Sequence, residues 1–172
     1  PSLVETLKYV KEQNSSLHLI GLLSDALVHS SYEHLLALID MAMQWNIEKV
    51  NLHLFTDGRD SPPTAAKNLL KKLRLDLESR QNTRIASLSG RFYGMDRDKN
   101  YNRTQKVYDL LVFGKGKTAT NPIDYLDNSY KENITDEFII PAIINPPNED
   151  ISSKLIKEGD GIIFFNFREE RM

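Results

Sequence analysis

Apolar residues in this chain fall into short unbroken runs separated by stretches of helical spacing. Leu17-His18-Leu19-Ile20-Gly21-Leu22-Leu23 is one such run, and Val50-Asn51-Leu52-His53-Leu54-Phe55 and Arg84-Ile85-Ala86-Ser87-Leu88-Ser89 are two more, each predicting a buried strand. Between Tyr32 and Trp45, the residues Leu35, Leu36, Ile39, Ala42 and Met43 recur at the helical period. A second stripe, Ala66, Leu69, Leu70, Leu73 and Leu77, follows Ser61-Pro62-Pro63, which predicts a helix start with Ser61 as N-cap and Pro62 at the first position. A third helix is predicted from Tyr101 to Phe113, burying Thr104, Val107, Tyr108 and Leu111 and ended by Gly114 and Gly116. Asn121-Pro122 opens a short helix carrying Ile123, Leu126 and Tyr130. Phe138-Ile139-Ile140 is predicted as an edge strand, because Pro141 lacks the donor a central strand needs. Asn145-Pro146-Pro147-Asn148 is a loop, and Gly161 to Phe167 closes the series as a near-continuous apolar strand with Phe164, Phe165 and Phe167 in the core.

Strands apolar throughout, alternating with amphipathic helices, predict an α/β fold with a mainly parallel sheet and helices on both faces. With 172 residues and no internal repeat or low-complexity linker, residues 1–172 are expected to form a single domain. Charge narrows the partners: 22 basic against 24 acidic residues gives −2, which disfavours a general nucleic-acid or membrane-surface binder. The chain has no cysteine, which removes disulfides, thiolate metal sites and a cysteine nucleophile, and fits a cytoplasmic setting. Pro1-Ser2-Leu3-Val4-Glu5 lacks the basic leader and apolar core of a secretory signal, and a start at Pro without Met suggests a piece of something longer.

Each predicted strand runs directly into a polar cluster. Ser24-Asp25-Ala26-Leu27-Val28-His29-Ser30 follows the first, Thr56-Asp57-Gly58-Arg59-Asp60 the second, Ser89-Gly90-Arg91 through Asp98 the third, and Arg168-Glu169-Glu170-Arg171 the last. In a parallel sheet these loops share the carboxyl rim, where open α/β sheets bind ligands. Five arginines there suit a small oxygen-rich anion, since guanidinium binds phosphate and carboxylate in bidentate fashion and keeps its charge. Asp57, Asp60, Asp96 and Asp98 can hold those cations together without ligand. His29 is the side chain of the set that titrates near neutrality, whereas His18, His34 and His53 read as structural. Any one of these arginines alone is more often a surface ion pair; recurrence at four strand ends is what favours a site. No phosphate-binding glycine loop, dinucleotide fingerprint, nucleophile elbow or metal-ligand spacing is present.

The same loops resemble those of the cofactor-independent phosphoglycerate mutases. Leu22-Leu23-Ser24-Asp25 with Val28-His29-Ser30 is similar to that family's Leu-Leu-Ser-Asp-Gly-Gly-Val-His-Ser, with Ala26-Leu27 in place of Gly-Gly. Asp57 to Pro63 resembles its Asp-Gly-Arg-Asp-x-Pro-Pro, and Ser89 to Asp98 its Ser-Gly-Arg-Tyr-Tyr-x-Met-Asp-Arg-Asp. Phe164 to Arg171 resembles Phe-Phe-Asn-Phe-Arg-Pro-Asp-Arg, with Glu169-Glu170 for Pro-Asp, and Thr135-Asp136-Glu137-Phe138 matches as well.

The resemblance implies the glycerate-holding half of an isomerase that interconverts 3-phosphoglycerate and 2-phosphoglycerate in glycolysis through a phosphoserine intermediate. It implies His29, Arg59, Asp60, Arg91, Arg97, Arg168 and Arg171 as the substrate-contacting set, with Asp60 exchanging a proton with the glycerate hydroxyl and His29 on the phosphate side. The nucleophilic serine and two manganese ions would belong to a metal-binding domain of the same polypeptide, leaving this chain with no metal and no turnover of its own. A monomer acting on a small molecule, without nucleic acid or membrane, is expected. The competing expectations are a non-catalytic anion-binding or regulatory domain that retains the arginine pocket, and an RNA-binding domain, which the −2 charge disfavours.

Overall fold

The computed structural model describes residues 2–168. In chain order the helices are α1 (Ser2–Gln13), α2 (Tyr32–Gln44), α3 (Ala66–Leu77), the single turn α4 (Arg91–Gly94), α5 (Tyr101–Phe113) and α6 (Pro122–Lys131). The strands are β1 (Leu17–Leu23), β2 (Val50–Thr56), β3 (Thr83–Gly90), β4 (Lys117–Ala119), β5 (Ala142–Ile144) and β6 (Gly161–Phe164). They form one sheet in the order β4-β5-β3-β2-β1-β6, parallel throughout except where β5 runs antiparallel to β3.

β1 and β2 are buried along their whole length, which is what continuous apolar runs in a doubly covered parallel sheet require. One face carries the larger core, in which Leu7 and Val10 of α1, Leu35 and Ile39 of α2, Leu70 and Leu73 of α3 and Leu126 of α6 meet Leu17, Leu19, Leu52 and Leu54. The other carries a smaller cluster of Ile20, Leu22, Phe55, Met95, Val107 and Leu111, with Ile156 packed against it. Near the amino ends of the strands that second face turns polar. His18, Asn51 and His53 are fully buried there, and His18 Nδ1 lies 2.8 Å from His53 Nε2.

Four predicted details are corrected. The helix after β2 starts at Ala66, not at Ser61-Pro62: Asp136, seventy residues away, accepts the Ala66 amide at 2.8 Å, and a turn closed by Ala65 N–H on the Pro62 carbonyl occupies the expected start. Phe138-Ile139-Ile140 is no edge strand. Asp136–Phe138 forms a 3-10 turn, and the strand begins after Pro141, inside the sheet between β3 and β4. In α5, Val107, Leu110 and Leu111 are buried while Thr104 and Tyr108 face solvent, since the helix meets the sheet along its second half. The last strand stops at Phe164 and alternates, with Ile162 and Phe164 exposed, because β6 is an edge strand covered by α1 on one side. Phe165 remains core: a Cβ on Gly21 would lie 2.7 Å from its ring, so β1 must present glycine there. Phe167 is half exposed. Helix α1 and strand β4 were not anticipated; among the described residues no helix is long and apolar enough to cross a membrane.

Candidate functional site

Strands β1, β2, β3 and β6 run the same way, so the loops that follow them meet on one rim. The turn after β2 organises it. Gly58 takes φ +64°, and a Cβ there would come within 2.7 Å of the Glu137 amide, so glycine is required both for the backbone and for the close approach. That turn lets Asp57 Oδ1 accept the amides of Arg59 and Asp60 at 3.2 and 3.0 Å. Its Oδ2 accepts the Ser24 hydroxyl at 2.6 Å, tying the end of β2 to the end of β1.

Arg91, the first residue after β3, completes the cluster. Its Nη1 donates to Asp57 Oδ1 at 2.6 Å and Asp60 Oδ2 at 2.5 Å, and its Nη2 lies 3.0 Å from His29 Nε2. His29 Nε2 is also 3.2 Å from Asp60 Oδ2. Arg91 is 3% exposed, Asp57 1% and His29 3%, so this is a buried ionic network. Burial drives the Asp57 carboxyl upward, but the Ser24 hydroxyl, the Asp60 amide, Arg91 and the Arg59 amide together hold it below the usual carboxylate range. Burial likewise works against the Arg91 charge, and Asp60 and Asp57 outweigh it, keeping the guanidinium more firmly protonated than usual.

On the solvent side of Arg91 lies a hollow of about 250 Å³, also lined by Arg59, Arg97, Arg103, Asp96 and Phe138. Arg59 is half exposed, and its Nη1 lies 3.7 Å from Glu137 Oε1. Glu137 and Phe138 are brought there by the 3-10 turn, whose Asp136 is fully buried. Asp136 receives the Tyr130 hydroxyl and the Ala66 amide on its carboxylate, and its carbonyl accepts Thr56 Oγ1 at 2.6 Å. Burial raises the Asp136 carboxyl above its ordinary value despite those donors. The Thr135–Phe138 motif therefore acts as the clamp that seats one wall of the hollow.

Of the residues singled out from sequence, Arg59, Arg91 and Arg97 line the hollow, and His29 and Asp60 stand behind it in contact with Arg91. Arg168 lies outside it, four residues past the end of β6 and directly after Phe167, whose amide donates to the His29 carbonyl at 2.8 Å. Arg171 falls outside the described residues. Arg103 was missed. It stacks over the Phe92 ring at 3.8 Å and pairs with Asp96 at 2.9 Å, so that Asp96 braces Arg103. Its place in the first turn of α5, close behind the Asp96-Arg97-Asp98 run, was the available signal. In the loop after β1, Leu27 holds φ +57°, the backbone that glycine adopts without strain. Among the described residues no group of three or more His, Asp or Glu is arranged to hold a metal ion.

The sequence and the fold have counterparts among known proteins. The family model described as "BPG-independent PGAM N-terminus" matches residues 1–172. The 2,3-bisphosphoglycerate-independent phosphoglycerate mutases of Parabacteroides distasonis and Bacteroides fragilis are each 43% identical over 171 residues, 99% of this chain and 33% of theirs. That of Clostridium perfringens is 40% identical over 170 residues. The chain thus spans about a third of the length of the curated relatives it matches. A crystal structure of Leishmania mexicana phosphoglycerate mutase, solved at low cobalt concentration, superposes with a TM-score of 0.84 at 26% identity, covering 98% of this chain and 35% of that one. With its whole length matched and its strand-end loops assembled as they are, the chain belongs to the family of the BPG-independent phosphoglycerate mutase N-terminus.

Proposed function

We propose that this chain holds the glycerate part of phosphoglycerate during the interconversion of 3-phosphoglycerate and 2-phosphoglycerate. The observation that carries the reading is Arg91, anchored by Asp57 and Asp60 at the floor of a hollow flanked by Arg59 and Arg97. A guanidinium fixed in this way is aimed before the ligand arrives, and the ordering cost of binding falls accordingly. Arg59, Arg91 and Arg97 grip the carboxylate and hydroxyls. Asp60, in contact with Arg91 and His29, exchanges a proton with the glycerate hydroxyl, and His29 orients the phosphate side. Arg168 and Arg171 face the travelling phosphoryl group. Phosphoryl transfer depends chiefly on positioning and charge stabilisation, which this residue set supplies.

The reaction also needs a nucleophile and metal ions. In this reading a facing domain of the same polypeptide supplies a serine and two manganese ions, and the setting is cytoplasmic glycolysis. Exposed Leu27, Val28 and Phe138 on the rim support an apolar surface turned toward such a domain. Two measurements test the proposal. An enolase-coupled assay on the 172-residue chain with manganese should show no mutase turnover, and turnover would overturn the division of labour. Calorimetry should show weak, salt-sensitive binding of 3-phosphoglycerate that Arg97→Ala lowers at least about tenfold, in line with loss of one charge-assisted contact. Equal binding by both chains would remove Arg97 from the site.

A further inference from the structure

A second hollow, of about 320 Å³, opens at the opposite end of the sheet, beneath the start of β3. Lys154, only 1% exposed, lines it, with its ammonium 2.6 Å from Asn145 Oδ1 and 2.6 Å from Glu149 Oε2, so two of its three donors are used. Arg84 lines it too. That guanidinium donates through Nε to Asn51 and through Nη2 to the Ser153 carbonyl, while its Nη1 stands 3.8 Å from the Glu149 carboxylate that Lys154 already holds. Burial lowers the Arg84 pKa and Glu149 only partly offsets it, while the guanidinium keeps its charge near neutrality. With Arg74 added, three cations face the carboxylates Glu78 and Glu149, an excess of one positive charge in a partly enclosed space. The apolar part of the lining comes from Leu77, Ile85, Pro122, Ile144 and Pro146, beside the polar Thr120 and Asn121.

Two buried or half-buried cations sharing one carboxylate, beside unused donors and an apolar wall, make a site for an anion that brings its own hydrophobic body. We propose that this hollow binds a small organic phosphate monoester, its phosphate on Arg84, Lys154 and Arg74 and its carbon body against Ile85 and Ile144. The site is separate from the rim of Arg91, and it stands whether or not the rim binds phosphoglycerate.

Phenyl phosphate is the probe, added to the isotope-labelled 172-residue chain while backbone amide shifts are followed. The amides of Ile85, Ile144 and Lys154 should shift saturably below about 10 mM. Inorganic phosphate, lacking the apolar body, and benzoate, a monoanion, should each bind at least about threefold more weakly. Arg74 is exposed on α3, so Arg74→Ala should keep the melting temperature and weaken binding about threefold or more. Glu149→Gln, which removes the competing carboxylate, should tighten it. An absence of saturable shifts at these amides, shifts confined to the Arg91 rim, benzoate binding as well as phenyl phosphate, or two variants binding like the unaltered chain would each overturn the assignment.

Discussion

Replacing Arg91 by alanine separates the buried network from the exposed arginines around it. The substitution removes contacts of 2.6 and 2.5 Å to Asp57 and Asp60 and the 3.0 Å approach to His29. Asp57, 1% exposed, is left with a charge compensated only by the Ser24 hydroxyl and two amides. Breaking a buried pair by deleting one partner costs about 3–5 kcal/mol. The donors that Asp57 keeps place this case near the lower limit, about 3 kcal/mol. In a domain of this size that corresponds to a melting-temperature loss of roughly 6–12 °C. Arg97→Ala, on the exposed side of the same hollow, should change stability by less than about 0.5 kcal/mol.

The pH dependence supplies the sharper check. Asp57 is held below its ordinary pKa in the folded chain, so its contribution is complete above the unfolded value, about 3.9, and is lost as pH falls through the folded one. The gap between the unaltered chain and Arg91→Ala should therefore be widest near pH 7 and narrow below about pH 4, as Asp57 in the variant escapes its uncompensated charge by protonation. Thermal melts of both chains across that range provide the test. Equal losses for Arg91→Ala and Arg97→Ala, or a gap that stays constant with pH, would refute the reasoning.

Leu27→Gly should raise stability by about 0.5–1 kcal/mol, since release of the φ +57° strain exceeds the added chain entropy and Leu27 is 66% exposed; a lower melting temperature would contradict this. His53 is fully buried against His18, and burial first, then the neighbouring imidazole, holds its pKa well below 6.5. The unfolded chain therefore takes up protons that the folded one refuses, and stability should fall as pH drops below about 6.5. His53→Gln should flatten the dependence of the urea midpoint on pH between 7 and 5, and an unchanged slope would clear His53 of that role.

The central strands were legible because parallel β1 and β2 are buried on both faces and so consist of uninterrupted apolar runs. Asn121 was equally plain: its side chain caps α6 locally, accepting the amides of Ile123 and Asp124. What was misread depends on distant partners. Ala66 begins α3 because of Asp136, and no local pattern announces a cap seventy residues away. Phe138 serves the wall of the hollow instead of a strand for the same reason. Helix α1 was legible in principle, with Leu3, Leu7 and Val10 at helical spacing, though only Leu7 and Val10 are buried. In the site, arginines after successive strands marked the rim. Which one is buried depends on how β2 and β3 pair, and that pairing alone sets Arg91 beside Asp57.

A crystal structure of the chain soaked with 3-phosphoglycerate tests the central claim most directly. The account predicts the glycerate carboxylate within hydrogen-bond distance of Arg91 and Arg97, with Asp57 still bridging Arg91 to Ser24. Ligand found away from the hollow, at concentrations that saturate binding in solution, would contradict it.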